Sequence, residues 1–191
     1  AHYNHPSIYI WGILNECASD TEYGKSCYKA QFELIESLDK TRPRSFSSCR
    51  FKTDICFDLV DVVSYNIYPK WYHNTPVAEY LDDLYKWVQT TPGEGKPFLI
   101  TEVGAGAIYG YRTPAKVKWS EEYQVQALEE QLNAILSYND CSGVYIWQFC
   151  DVRVTNDWWS TRPRTMNNKG IVDEYRRPKL AYETVKKIFS S

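Results

Sequence analysis

The chain has 191 residues, a formal charge of −2 and 43% hydrophobic residues, enough for one domain with a substantial core. That charge balance gives no basic surface for nucleic acid or acidic membranes, and no apolar run is long enough to span a bilayer. The composition departs from the ordinary in its aromatic load of 7 Trp, 16 Tyr and 7 Phe, residues that fill cores and interfaces and also suit stacking on sugar rings.

The first element is the run Ile8-Tyr9-Ile10-Trp11-Gly12-Ile13-Leu14. Near-continuous apolar, β-branched and aromatic residues predict a strand buried on both faces, of the parallel-sheet kind, with Asn15 and Glu16 where it emerges. Cys17 to Tyr23 is polar and predicts a loop. Tyr28, Phe32, Ile35 and Leu38 recur at helical spacing until Thr41-Arg42-Pro43 stops the helix. Arg44 to Cys49 and Val60 to Tyr68 predict two more strands. Thr75-Pro76 opens a second helix as a cap followed by proline. Its inward stripe is Val77, Tyr80, Leu81, Leu84 and Val88, and Pro92-Gly93-Glu94-Gly95 then turns the chain.

Pro97 to Thr101 predicts a strand that delivers Glu102 at its end, and Gly104 to Tyr111 a loop. Ser120 caps a third helix with Val125, Leu128, Leu132, Ile135 and Leu136 on its inner face. Gly143 to Phe149 is an aromatic-rich strand, and Asp151 to Gly170 a long polar segment. Pro178 starts a last helix that turns Ala181, Tyr182, Val185, Ile188 and Phe189 inward. Strands alternating with helical crossovers predict an α/β fold of parallel βαβ units. A complete eight-stranded barrel takes roughly 200 to 250 residues, so about five strands and four helices fall short of one by about three units.

The six cysteines form no CxxC pair, which argues against a zinc cluster or a thioredoxin-like motif. Their scatter favours buried reduced thiols in a cytoplasmic protein, with disulfides as the alternative. The one methionine is Met166, so Ala1 is not a natural start and a preceding segment is expected. No metal motif, phosphate loop or dinucleotide fingerprint occurs, and no cofactor is expected.

Glu16 and Glu102 occupy matching places, each at the end of an apolar strand. In a barrel, the ends of the strands floor the active site, and strands four and seven lie across its mouth from one another. Two carboxyl groups facing a sugar are what glycosidic cleavage needs, and a retaining mechanism sets them roughly 5–5.5 Å apart.

Six segments in order strengthen that idea: NHPSIYIWGILNE, SYNIYPKWY, LITEVGA, WSEEYQ at Trp119–Gln124, GVYIWQFCD and NNKGIVDEYRRPK. Together they resemble family 2 glycoside hydrolases, the group of β-glucuronidases and β-galactosidases, over nearly the whole chain. The resemblance implies strands four to eight of the catalytic (β/α)8 TIM barrel, with the first strands and two β-sandwich domains ahead of them. It implies Glu16 as general acid/base and Glu102 as nucleophile of a retaining enzyme, and a homo-oligomer at full length. An isolated monomer of this segment alone is expected to have negligible activity.

By the same resemblance Asn15 binds the sugar 2-hydroxyl, Tyr68 orients the nucleophile and Trp147 lies near the sugar. Asn167 and Lys169 match the Asn-x-Lys pair with which many β-glucuronidases bind the sugar carboxylate. This favours glucuronides as the carbohydrate substrate, with galactosides as the rival. Asp151 to Met166 and Gly104 to Lys118 depart from the better-known bacterial relatives, and are expected to shape the leaving-group side.

Overall fold

The computed structural model describes His2 and residues 4–190. The chain divides into two compact units, one of residues 1–67, 81–101 and 139–143, the other of residues 68–80, 102–138 and 144–191.

The first unit contains β1 (Trp11–Asn15), α1 (Glu22–Leu38), β2 (Arg44–Ser48) and β3 (Val63–Asn66). It also holds most of α2 (Val77–Val88) and the opening residues of β4 (Phe98–Val103) and β5 (Cys141–Ile146). The sheet order is β1-β2-β3-β4-β5, with β2 parallel to both β1 and β3. Strands that are neighbours in sequence are thus neighbours in space, as βαβ units require. The predicted strand positions hold: β1, β2 and β3 are shorter than the runs that predict them, β4 runs on through Glu102 to Val103, and β5 starts two residues early, at Cys141.

Thr21 starts α1 by accepting the Gly24 N–H at 3.0 Å, a side-chain cap for an otherwise orphan donor. The helix stops at Asp39, whose N–H bonds the Ile35 carbonyl at 2.7 Å, ahead of the predicted Thr41-Arg42-Pro43. The Asp39 carboxylate takes hydrogen bonds from Trp11 Nε1, Thr41 and Arg42, which tie the helix end to β1. Tyr28 and Phe32 are buried, while Leu38 is exposed. The core of this unit is aromatic: Tyr28 meets Phe46 edge-on at 4.8 Å, and Phe46 stacks on Phe57 at 5.9 Å.

β1 corrects one expectation. It begins at Trp11 rather than Ile8 and is not buried on both faces, since Tyr9 is 65% exposed and Gly12 and Asn15 are also open. It ends the strand order, so among the described residues one flank has no neighbour within the sheet.

The second unit contains α3 (Glu121–Leu136), α4 (Leu180–Phe189) and an antiparallel ribbon of β6 (Val152–Arg153) and β7 (Met166–Asn167). That ribbon, with short 3-10 turns at Asn156–Thr161 and Pro163–Thr165, replaces the irregular polar segment expected between Asp151 and Gly170. Ser120 caps α3 by accepting the Tyr123 N–H at 3.2 Å. The buried face of α3 is Gln124, Ala127, Leu128, Gln131, Leu132 and Ile135, with Val125 half-buried and Leu136 exposed. It is rotated from the apolar stripe predicted, because two glutamines point inward. On α4, Ala181 and Val185 are buried and Phe189 is exposed.

Lys179, at the start of α4, is fully sequestered with Asp151 in an ion pair of 2.8 Å, and it also donates to the Ala107 and Asn168 carbonyls at 2.6 and 3.0 Å. Burial pushes Asp151 up to about 6 against the pull of the Lys179 charge. Removing one partner of such a pair strands a charge in a low-dielectric interior. Lys179→Met is therefore expected to cost about 3–5 kcal/mol in urea unfolding. The double variant Lys179→Met/Asp151→Leu recovers much of that loss if the buried charge is the cause.

All six cysteines are free thiols. Only Cys56 is buried, whereas Cys17, Cys27 and Cys49 are exposed, which corrects the expectation of buried thiols throughout.

Candidate active site

In the first unit the polar residues at the strand ends form one network. Asn66, buried at the end of β3, donates from Nδ2 to Asn15 Oδ1 and to Glu16 Oε1, both at 2.9 Å. Thr101 on β4 donates to Asn66 Oδ1 at 2.7 Å. A hydroxyl donating to one end of the amide and two acceptors at the other fix its orientation. The consequences pass outward. Asn15 has its oxygen occupied and offers an NH2 donor. Glu16 has Oε1 held and offers Oε2 for a proton.

Glu16 leaves the sheet in a left-handed conformation, φ 54°, with its N–H still bonded to the Ser47 carbonyl at 2.9 Å. A non-glycine residue adopts that conformation only where its surroundings impose it. Both Asn15 and Glu16 are exposed, open to a ligand.

In the second unit Tyr68 donates its hydroxyl hydrogen bond to Glu102 Oε2. Lys169 is 5% exposed, and its ammonium lies 4.0 Å from the centroid of the Tyr68 ring, 4.8 Å from Tyr72 and 6.0 Å from Trp71. It donates to the Tyr72 hydroxyl at 3.0 Å. Burial pulls the Lys169 ammonium below its usual range, while Tyr72 and the charge of Glu102 pull it back up. An ammonium has three donors, and the Tyr72 hydroxyl takes one.

Tyr72 also accepts from Arg162 Nη2 at 3.4 Å, and the Arg162 guanidinium lies 5.4 Å over the Trp158 ring. Burial works to raise the Tyr72 hydroxyl, yet Lys169 and Arg162 outweigh it and hold it below its usual range. Part of the Asp151–Met166 segment, expected on the leaving-group side, therefore contacts the cationic end of the site.

Trp147 is 38% exposed and its N–H bonds the Val103 carbonyl at 2.8 Å, beside the strand end that carries Glu102. Gly104 makes this approach possible: a Cβ there would lie 2.2 Å from the Trp147 carbonyl oxygen. The Trp147–Gln148 peptide bond is cis. Asn167 pairs with Val152 across the ribbon and its Oδ1 accepts the Lys169 N–H at 3.2 Å, which leaves its NH2 as the outward donor.

In the first unit Asn66 thus links Asn15 and Glu16; in the second, Tyr68 is bonded to Glu102 and faces the Lys169 ammonium, and Asn167 accepts the Lys169 N–H. Sequence reasoning missed Asn66, Thr101 and Tyr72. Asn66 and Thr101 had a signal, being polar residues inside otherwise apolar strands, whereas Tyr72, an aromatic beside a tryptophan, carries no local pattern. Arg162, with Arg164, was legible as positive charge near the Asn167–Lys169 stretch but, in a polar loop, equally as a surface charge.

The whole chain, residues 1–191, matches the glycosyl hydrolases family 2, TIM barrel domain. A solved β-galacturonidase of that family from Eisenbergiella tayi, bound to galacturonate, is 75% identical, with a TM-score of 0.98 over 99% of this chain and 34% of that one. The β-glucuronidase of Rattus norvegicus is 33% identical over 190 residues, which takes in 93% of this chain and 28% of the rat protein. A β-D-glucuronidase structure from Dictyoglomus thermophilum is 26% identical with a TM-score of 0.89. The chain spans about 28% of the length of the curated relatives it matches.

Proposed function

The chain belongs to glycosyl hydrolase family 2, as part of its TIM barrel domain, and from that premise we propose that the complete gene product hydrolyses β-D-hexuronides with retention of configuration, β-D-galacturonides foremost. The observation that carries this is the Lys169 ammonium, buried over Tyr68, whose hydroxyl is bonded to the Glu102 carboxylate. A buried cation this near a nucleophile candidate suits a sugar that is itself an anion. The 75% identity to a β-galacturonidase favours the galacto configuration. Such a sugar joins the carboxylate expected of a glucuronide to the axial 4-hydroxyl of a galactoside.

In this mechanism Glu102 Oε1 attacks the anomeric carbon while Tyr68 holds Oε2. Glu16 gives the proton on Oε2 to the departing glycosidic oxygen. Glu16, now a carboxylate, takes a proton from water, which attacks the glycosyl–enzyme ester and frees Glu102. The Asn15 NH2 donates to the sugar 2-hydroxyl, a contact that tightens as the oxocarbenium-like transition state forms. Asn66 sets both Asn15 and Glu16 from behind. Lys169 and the Asn167 NH2 take the sugar carboxylate.

The 33% identity to a β-glucuronidase supports glucuronides as the second reading. Comparing 4-nitrophenyl β-D-galacturonide, β-D-glucuronide and β-D-galactopyranoside with the complete gene product separates the possibilities. Turnover of the galactopyranoside alone would sink the uronide assignment.

Glu16→Ala tests the acid/base role. It is expected to slow cleavage of poor leaving groups by about 10²-fold, with little effect on the first step for a dinitrophenyl group that departs without a proton. Added azide should then attack the glycosyl–enzyme and give the β-glycosyl azide. An equal loss on both leaving groups would rule Glu16 out as the acid.

A further inference from the structure

Gln124 and Gln131 lie seven residues apart on α3, hence on one helix face, and neither is exposed at all. A buried amide must find partners or pay for its desolvation. Here each Nε2 bridges two backbone carbonyls, and only an NH2 can face two acceptors. Gln131 donates to the Pro69 carbonyl at 2.7 Å and the Gly104 carbonyl at 3.4 Å. Gln124 donates to the Ala105 and Gly170 carbonyls at 2.9 and 3.0 Å.

The segments so joined are the ones that carry the chemistry. Pro69 follows Tyr68, and Gly104 and Ala105 follow Glu102 closely. Gly170 follows Lys169. Gln131 therefore ties the tyrosine segment to the nucleophile segment. Gln124 ties the nucleophile segment to the lysine segment.

We propose that Gln124 and Gln131 are positioning residues with separate duties: Gln131 sets the Tyr68–Glu102 pair and so the rate on every substrate, and Gln124 sets the distance from Glu102 to Lys169 and so the preference for acidic sugars. The second duty rests on the hexuronide assignment above; the first does not. The two residues have the same chemistry, helix and burial, which makes each the control for the other. A loss of packing alone would act on both alike.

The test uses the complete gene product, with active sites counted by a slowly released 2-deoxy-2-fluoro glycoside so that unfolded protein does not enter the rates. The quantity read is kcat/KM for the 4-methylumbelliferyl β-galacturonide over that for the β-galactopyranoside. Gln124→Met is expected to lower the ratio at least tenfold, chiefly through KM for the uronide, and Gln131→Met to lower kcat on both sugars while the ratio stays. Gln124→Asn keeps the amide but falls a methylene short of both carbonyls, and should shift the ratio in the same direction. Gln126→Met, outside this face, leaves both rates unchanged.

Equal losses on the two sugars in Gln124→Met and Gln124→Asn, or an unchanged ratio in both, would overturn the role of Gln124. A lowered ratio in Gln131→Met would overturn the division of duties. A wild-type protein with no preference for the uronide would instead remove the hexuronide assignment, leaving the effect of Gln131→Met on kcat to stand or fall by itself.

Discussion

Glu102→Gly is expected to lower turnover on the order of 10⁵-fold or more, the scale on which removing a nucleophile disables enzymes that work through a covalent intermediate. Sodium azide restores part of the rate, because the glycine leaves space for an anion where the carboxylate stood. The stereochemistry is the deciding readout. Azide acting in place of Glu102 displaces the leaving group once, from the opposite face, and gives the α-glycosyl azide. In Glu16→Ala it intercepts an α-linked ester and gives the β product. A β-azide from Glu102→Gly would mean that the two carboxylates have exchanged roles.

Tyr68 enters the same argument. Its hydroxyl is bonded to Oε2 of Glu102, and in the proposed mechanism the attack comes from Oε1. When the ester breaks in the second step, that donor also stabilises the carboxylate being released. Removing the hydroxyl should slow the second step at least as much as the first, and the glycosyl–enzyme should accumulate. Lys169 bonds the Tyr72 hydroxyl and lies over the Tyr68 ring, so the proposed roles in recognition and chemistry fall on adjoining aromatic rings.

What the sequence disclosed and what it hid follow from one difference. Glu16 and Glu102 were legible because each ends an apolar run, and a strand that stops being apolar announces where it emerges. Four helices and five sheet strands were legible for the same reason. The face of α3 was not. Hydrophobic periodicity sends Gln124 and Gln131 to solvent and draws Leu136 inward, whereas the fold buries both glutamines and exposes Leu136. What overrides the pattern is a set of carbonyls on segments distant in sequence, which no local window contains. The ribbon of β6 and β7 escaped for a related reason: it has two residues on each side, too few to show alternation. The exposure of β1 escaped because its apolar run reads alike at the end of a sheet and in its middle.

Lys169→Met carries the largest expected effect on substrate choice. The methionine keeps most of the apolar stem against Tyr68 and Tyr72 but removes the charge, so a bound carboxylate is left without its cation. Truncating one partner of a buried, hydrogen-bonded charge pair costs about 2–5 kcal/mol, which corresponds to a loss of about 10³-fold in kcat/KM for the uronide toward the upper end. The neutral galactopyranoside, with a hydroxymethyl group in place of the carboxylate, should change by less than about threefold, well under 1 kcal/mol. The pH profile gives a second readout, taken as the ratio of uronide to galactopyranoside turnover, in which the proton transfers common to both sugars cancel. The protonated ammonium is the form expected to bind, so the ratio is fully present below the pKa of Lys169 and lost as pH rises through it. Burial has moved that value below the usual lysine range, so the ratio should fall earlier than a solvent-exposed lysine would allow, and show no such fall in Lys169→Met. Loss of the Tyr72 proton, itself favoured by Lys169 and Arg162, would weaken a carboxylate's hold in the same direction. Tyr72→Phe therefore assigns the fall in the ratio: if it persists there it belongs to Lys169, and if it disappears it belongs to the tyrosine. Equal losses on the charged and neutral sugars in Lys169→Met would mean that the ammonium supports the aromatic cluster and does not recognise the substrate.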